Sequence, residues 1–220
     1  GWRAAFLFAG YPGLFLAFLL FLLREPARGA SDDRPVLTAG AGRNGWGVFR
    51  ELLKFPRYVL VVIGYTAQTF AMGGFQIWAP SFLVEVHRME LGDATFFFGA
   101  SLAAAGLVAT LAGGFTATRW QKRTGTGYAW VLVLSAFAAA PLAFLSFSLA
   151  NLAAAKVALV LTIFLLFLST GPVNTLILET VPASMRASSM AASIFTIQLF
   201  GDLWSPKLVG YYADRWGDLQ

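Results

Sequence analysis

The chain has 220 residues, of which 58% are hydrophobic and only 12% charged, and its mean hydropathy of +0.68 excludes an ordinary water-soluble domain, which carries roughly twice that charged fraction. The net charge of +5 does not indicate nucleic-acid binding, because most lysine and arginine residues lie in short segments between apolar runs. With no cysteine and a single histidine, the sequence excludes disulfides and histidine or thiolate metal clusters, and it calls for no cofactor.

Six apolar runs follow one another along the chain, each long enough to cross a bilayer as a helix. They lie at roughly 4–23, 58–84, 94–117, 128–150, 153–178 and 187–213. Backbone groups in lipid must be satisfied within the segment, and the alternation of a membrane barrel is missing, so an all-α integral membrane protein is predicted. Because residue 1 is glycine and leads straight into the first run, we interpret the chain as a piece of a longer protein.

A polar segment separates the first run from the other five. Residues 26–48 are rich in Gly, Ala, Arg, Asp and Pro, which is typical of a linker. Its far end, from Trp46 to Phe55, interleaves apolar and charged residues and is predicted to form an amphipathic helix at the membrane interface. This segment therefore separates one leading apolar run from a block of five.

The basic residues predict which helix ends face the cytoplasm. They concentrate in segments 24–57 and 118–127, and the segment 179–186 also ends in an arginine. The positive-inside rule places these three segments on the cytoplasmic side, and a bacterial inner membrane is the expected location. The predicted cytoplasmic loop or gate residues are Arg119, Lys122, Arg123, Glu179 and Arg186.

The second run contains amide side chains that are candidates for substrate contact. Gln68 and Gln76 lie within it, and the segment from Gly73 to Pro80, which includes Trp78, predicts an interrupted helix. The alternative is an interfacial tryptophan beside a proline bend, which is ordinary in membrane helices.

Small residues mark the third run as a helix that others approach closely. Such residues at helical spacing allow two backbones to come together, and close packing is the simplest interpretation. They are Gly99, Ala103, Gly106, Ala109, Gly113 and Gly114.

The fifth run contains a proline that is predicted to kink its helix. Pro172 removes a backbone donor, so a bend is expected near Gly171. The bend is either purely structural or lines a cavity together with Asn174. After this run, Glu179 and Arg186 flank a short turn and are predicted either to pair across it or to face solvent separately.

The last run holds polar residues in an otherwise apolar stretch. Gln198 and Asp202 fall near mid-membrane, where an ionisable group is costly and marks a functional site by default. We expect Asp202 to face a bundle interior or a water-filled cavity. Proton coupling, cation binding and a salt bridge with Lys207 or an absent helix are all open.

The cytoplasmic end of the third run resembles the loop signature of the major facilitator superfamily, which is a glycine, then Ala-Asp-Arg, then a basic pair. Thr118 stands in place of the aspartate and Gln121 in place of a later glycine, so a charge-relay role does not carry over. The fitting positions are Gly114, Ala117, Arg119, Lys122 and Arg123.

Two further stretches are similar to the Spinster, or sphingolipid-transporter-like, family within that superfamily. The first is Met72–Phe82, and the second runs from Gly171 to Ala213 and includes Gly201-Asp202-Leu203-Trp204-Ser205-Pro206. The resemblance implies helices six to eleven of a twelve-helix transporter that works by alternating access around a mid-membrane site. It implies that residues 1–25 are the last helix of an N-terminal bundle, 26–56 a cytoplasmic linker with an interfacial amphipathic helix, and 57–220 a C-terminal bundle without its last helix. The cavity candidates that follow are Gln68, Gln76, Trp78, Asn174, Gln198 and Asp202, with Asp202 also the coupling candidate.

The leading functional hypothesis is a secondary active transporter of an amphipathic lipid-like or organic anion substrate, with proton coupling open. Its expected partners are membrane lipids, this substrate and the missing N-terminal bundle of the same protein. One alternative is a drug or metabolite exporter of another facilitator family. An alternative of another class is a membrane-embedded lipid-modifying enzyme, for which no GxSxG or HExxH motif and no catalytic residues are found.

Overall fold

The computed structural model describes residues 2–23 and 45–216, and all regular secondary structure in these ranges is helical. The chain divides into two units, of which the first contains α1 (Trp2–Leu20). Most of the predicted linker, and its basic residues up to Arg43, lie outside the described residues. The helices of the second unit are α2 (Gly45–Leu52), α3 (Pro56–Glu85), α4 (Leu91–Thr124), α5 (Gly127–Ser148), α6 (Leu152–Leu168), α7 (Thr170–Glu179), α8 (Arg186–Ile197) and α9 (Ser205–Trp216).

The predicted all-α membrane class is confirmed, although the six predicted runs are not equivalent. Among the described residues, four helical stretches are long and apolar enough to cross a membrane: Pro56–Glu85, Leu91–Thr124, Gly127–Ser148 and Leu152–Glu179. The first predicted run corresponds to α1, whose apolar part, Phe6–Leu20, is shorter. The last run forms α8 and α9 with a π-helical turn, Gln198–Asp202, between them.

Two predictions about where helices end or break are wrong. The segment 118–127 is not a loop, because α4 continues to Thr124 and ends at Gly125 in a left-handed conformation (φ 72°). The turn into α5 is therefore short, and the Gln121 side chain accepts a hydrogen bond from Tyr128 N at 3.2 Å across it. The predicted interruption near Gly73–Pro80 is also absent, since Pro80 lies inside the continuous helix α3.

The kink expected near Gly171 lies at Ser169, where α6 ends and α7 begins. Pro172 cannot donate to the carbonyl of Leu168, and this carbonyl packs directly against Gly113 of α4. A Cβ atom at Gly113 would overlap the Leu168 carbonyl oxygen, whereas one at Gly114 would meet nothing within 4 Å. Small residues of α4 thus allow the break between α6 and α7 to pack closely against α4, as the packing interpretation predicts.

Two hydrophobic clusters hold the second unit together. One joins α3, α4, α5 and α6 toward the predicted outer side, with Leu83, Leu159 and Ile163 at its centre. The other joins α2, α3, α7 and α8 at the predicted cytoplasmic side. There Leu52 is 1% exposed, so α2 is docked on the bundle through its apolar face.

Tyr58 makes a polar contact inside the cytoplasmic cluster. Its side chain is buried, its hydroxyl donates to the Ser189 carbonyl at 3.0 Å, and it shares a 3.0 Å hydrogen bond with Ser193 Oγ. We expect Tyr58→Phe to lower the free energy of unfolding by about 1 kcal/mol, because the Ser189 carbonyl loses a donor. Thermal unfolding in detergent would measure this. Tyr128→Phe is the control, since the Tyr128 hydroxyl bonds to none of the described residues; an equal loss in both variants would contradict the prediction.

Candidate functional site

A cavity of about 410 Å³ opens between α3, the break between α6 and α7, and the π-helical turn. Its lining combines apolar side chains, such as those of Met72, Ile77 and Phe167, with hydroxyl, amide and carboxyl groups. This mixed lining suits a ligand that has both apolar and polar parts. The lining residues are Tyr65, Thr69, Met72, Gly73, Gln76, Ile77, Phe167, Thr170, Ile197, Gln198, Asp202 and Pro206.

Three of the predicted site residues meet in this cavity. Gln76 comes from α3, and Gln198 and Asp202 come from the two ends of the π-helical turn. Among the described residues, no lysine or arginine lines the cavity. Of the alternatives left open for Asp202, a salt bridge with Lys207 does not form among the described residues.

The π-helical turn sets the position of Asp202. Leu203 N donates to the Gln198 carbonyl at 3.1 Å, which is the i to i+5 bond of a π-helix and is frequent at functional sites. Gly201 lies within this turn, where an added Cβ would be 3.0 Å from the Thr69 side chain and 3.2 Å from the Thr66 carbonyl. The absence of a side chain at Gly201 therefore brings the turn, and Asp202 with it, close to α3.

Gln68 lies on a different side of α3. It lines a second space, which we call the lateral groove, of about 530 Å³ between α3 and α5. The groove walls are mainly small apolar side chains, and Leu166 and Leu176 contribute from α6 and α7. Gln68 is thus not brought together with Gln76, Gln198 and Asp202.

Trp78 does not line the cavity but packs against α9. Its indole Nε1 donates to the Pro206 carbonyl at 3.4 Å. Its ring covers Gly210, where an added Cβ would be 2.9 Å from the indole. One turn earlier on α3, Gly74 approaches the Val209 side chain in the same crossing. The glycines and tryptophan of this segment therefore join α3 to α9.

Asn174 lies on α7, four residues beyond Thr170, whose side chain does line the cavity. Its amide donates to the Thr170 carbonyl at 3.0 Å, a bond within its own helix. Asn174 is therefore not among the residues that line the cavity.

The predicted gate residues lie at exposed helix ends. Arg119, Lys122 and Arg123 are on the last turns of α4. Glu179 ends α7 and Arg186 begins α8, and the predicted ion pair between these two does not form among the described residues. In this structure they are separate surface charges.

Several lining residues were missed by the sequence analysis. Tyr65, Thr69 and Gly73 precede Gln76 at steps of four, four and three residues, so they share its face of α3. Counting helical turns back from Gln76 finds them, but steps of four through Met72 also reach Gln68, so this count does not separate the cavity from the lateral groove. Thr170 and Phe167 on the opposite wall carry no comparable signal, because their direction depends on the break at Ser169.

Comparison with known sequences places the chain among membrane transporters. The sequence model of the Major Facilitator Superfamily matches residues 1–206. The chain is 29% identical over 98% of its length to the probable sphingolipid transporter spinster homolog 2 of Arabidopsis thaliana, and 28% identical over 92% to the human protein spinster homolog 1. It covers 47% and 41% of these proteins, so it spans less than half of the relatives it matches.

The solved structures that resemble this chain are also transporters of the Spinster type. A bacterial homologue of the human lysosomal transporter Spinster, crystallised in an inward-facing unoccupied conformation, superposes with a TM-score of 0.66 at 26% identity. An inward-facing occupied structure gives a TM-score of 0.64, also at 26% identity. Each match covers 94% of this chain and 43% or 41% of the solved chain.

Proposed function

The chain belongs to the major facilitator superfamily, and from this premise we propose that it forms one wall of the substrate cavity of a secondary transporter for an amphipathic, lipid-like molecule. The observation that carries the proposal is the cavity between α3 and the π-helical turn, in which Gln76, Gln198 and Asp202 meet among apolar side chains. Two relatives from Arabidopsis thaliana that are named probable sphingolipid transporters support a lipid-like substrate.

The chemistry of the cavity favours the lipid-like substrate over a simple organic anion. Asp202 carries a carboxylate, and the described lining contains no basic side chain to attract an anion. The apolar side chains of Met72, Ile77 and Phe167 offer contacts to a hydrocarbon tail, while the amides of Gln76 and Gln198 offer hydrogen bonds to a headgroup.

We assign Asp202 the coupling role. Asp202 has no ion pair among the described residues. An unpaired charge near mid-membrane is costly, so this carboxylate is expected to bind a proton or a cation. Proton exchange at Asp202 would then accompany the alternating exposure of the cavity to the two membrane sides.

The full-length protein is proposed to lie in a bacterial inner membrane, with segments 24–57, 118–127 and 179–186 in the cytoplasm. The basic residues of these segments support this orientation. Its proposed partners are membrane lipids and a second, N-terminal bundle that completes the cavity. The relatives that the chain matches are about twice its length, which leaves room for such a bundle.

The cavity predicts a paired effect on substrate binding. Gln76→Leu and Gln198→Leu should each raise the concentration for half-maximal uptake of a radiolabelled sphingoid base by about fivefold to tenfold, since each removes one headgroup hydrogen bond. Uptake into proteoliposomes containing the full-length protein would measure this.

The matched control is Gln121→Leu, because Gln121 lies at the cytoplasmic end of α4 and away from the cavity. Unchanged half-saturation in both cavity variants would contradict the assignment of the cavity. The alternative outcome is uptake of a drug or metabolite by the wild type, with neither uptake of sphingoid base nor competition by it in the same vesicles. In that case a drug or metabolite exporter of another facilitator family becomes the better description.

A further inference from the structure

The break between α6 and α7 leaves backbone groups that need partners inside the membrane. Pro172 has no N–H to donate to Leu168, and Leu166 lies in the last turn of α6, where carbonyls lose their regular helical donors. In lipid, each such group must be satisfied by protein, because no water replaces the lost bond. The break therefore depends on neighbouring helices for its shape.

Gln68 of α3 supplies one of these partners. Its amide Nε2 donates to the Leu166 carbonyl at 2.8 Å and also contacts the Ser169 hydroxyl. Ser169 Oγ in turn donates to the Leu166 carbonyl at 3.2 Å, and Ser169 is completely buried. The three groups form a closed triangle that joins the middle of α3 to the residue at which the neighbouring helix breaks.

The surroundings of this triangle make it hard to replace. Gln68 borders the lateral groove, and among the described residues that line the groove it alone has a polar side chain. Ser169 Oγ is the only other described side chain that donates to the Leu166 carbonyl. The other freed carbonyl, that of Leu168, packs against Gly113 on the α4 side. The break is thus held from two directions.

We propose that Gln68 is a positioning residue that holds the backbone at the break between α6 and α7 and couples the bending of α7 to α3. It does so without touching the substrate, because it faces the lateral groove and not the cavity. Phe167 and Thr170, on either side of Ser169, line the cavity. A change of backbone angle at Ser169 therefore moves cavity-lining side chains, and Gln68 limits that change.

The first test measures the backbone directly and does not depend on the proposed function. In the full-length protein in lipid nanodiscs, Gln68→Met should raise amide hydrogen exchange in peptides covering 166–174 by about threefold to tenfold, the range expected for one interhelical hydrogen bond in a membrane. Exchange in peptides covering 153–162 should stay within twofold. Gln76→Met, the same substitution two turns further along α3, should leave both regions unchanged.

Two further variants keep the test decisive. If Gln68→Met raises exchange in the whole chain because the protein is poorly folded, Ser169→Ala provides the second measurement, since it removes one corner of the triangle and should raise exchange only in 166–174. In a double variant the two effects should not add, because both act on the same set of bonds. Unchanged exchange at 166–174 in both single variants, or an equal rise in Gln76→Met, would overturn the proposal.

A transport measurement then separates positioning from binding, and this part rests on the proposed function. With radiolabelled sphingoid base in proteoliposomes, Gln68→Met should lower the maximal uptake rate about threefold to tenfold and change the half-saturating concentration less than twofold. A raised half-saturating concentration at an unchanged maximal rate would make Gln68 a substrate ligand and would overturn the proposal. Absence of uptake by the wild type would count against the proposed substrate and leave the exchange result standing.

Discussion

Alanine at Gly113 is expected to destabilise the folded bundle more than alanine at any other glycine of α4. The added Cβ would overlap the Leu168 carbonyl oxygen, which belongs to the backbone and cannot rotate away. Forcing extra volume into a packed contact costs about 1–3 kcal/mol, and a backbone partner places this substitution at the upper end. In a protein of the relatives' length, about twice this chain, such a loss lowers the midpoint of thermal unfolding by roughly 3–5 °C, because the shift per kcal/mol falls as the chain grows.

The neighbouring residue provides the control for this substitution. Gly114→Ala adds the same methyl group one position along, where nothing lies within 4 Å, and it should leave the unfolding midpoint within about 2 °C. Both variants would be compared in the purified full-length protein by fluorescence-detected thermal unfolding. Equal midpoints for the two alanine variants would mean that α4 does not approach the break between α6 and α7 as closely as the structure has it.

The second large effect is expected at Asp202. Asp202→Asn keeps the size and polarity of the side chain but removes its ability to gain and lose a proton. If Asp202 couples transport to protons, the variant should lose nearly all uptake driven by a pH gradient while still exchanging substrate across the membrane without a gradient. A loss of about 100-fold in gradient-driven accumulation is the expected scale, since one obligatory step is removed.

Two further variants distinguish a role in proton coupling from other effects of the Asp202 substitution. Asp202→Glu retains an ionisable group and should keep part of the driven uptake, which a purely steric role would not predict. Asp93→Asn, at the exposed first turn of α4, removes a carboxylate outside the cavity and should have little effect. Accumulation that is unchanged in Asp202→Asn, or that persists after the pH gradient is collapsed in the wild type, would exclude Asp202 from proton coupling.

The long helices could be predicted from the sequence because their cause is local. Each apolar run between 58 and 178 is long enough to span the bilayer, and the lipid leaves helix as the only way to satisfy the backbone. The effect of Pro172 is also local, so a break in that helix was predictable to within a few residues. By contrast, the continuity of α3 through Pro80 was not, because a proline in a membrane helix is tolerated when its neighbours compensate.

The site was only partly predictable because it depends on the rotation of each helix. The pairing of Gln76 with Gln198 and Asp202 follows from polarity, since each is a polar residue in an apolar run. Gln68 has the same polarity but lines the lateral groove. Because α3 is apolar on nearly all sides, its sequence does not show which face lines the cavity and which lines the groove. The π-helical turn was also missed, since a bond from residue i to residue i+5 leaves no pattern in composition.

That turn has a consequence for how the last segment is compared between proteins. A π-helical turn accommodates one residue more than an α-helical turn, and each residue of an α-helix advances the side chain by about 100°. Removing one residue from the segment 198–202 would therefore let it close as an α-helical turn and keep α9 against Trp78 and Gly74, whereas the same deletion within α8 would rotate α9 by about that angle. An alignment of this chain with a transporter whose corresponding helix is uninterrupted needs a one-residue gap here, and without it every position of α9 would be matched to the wrong partner.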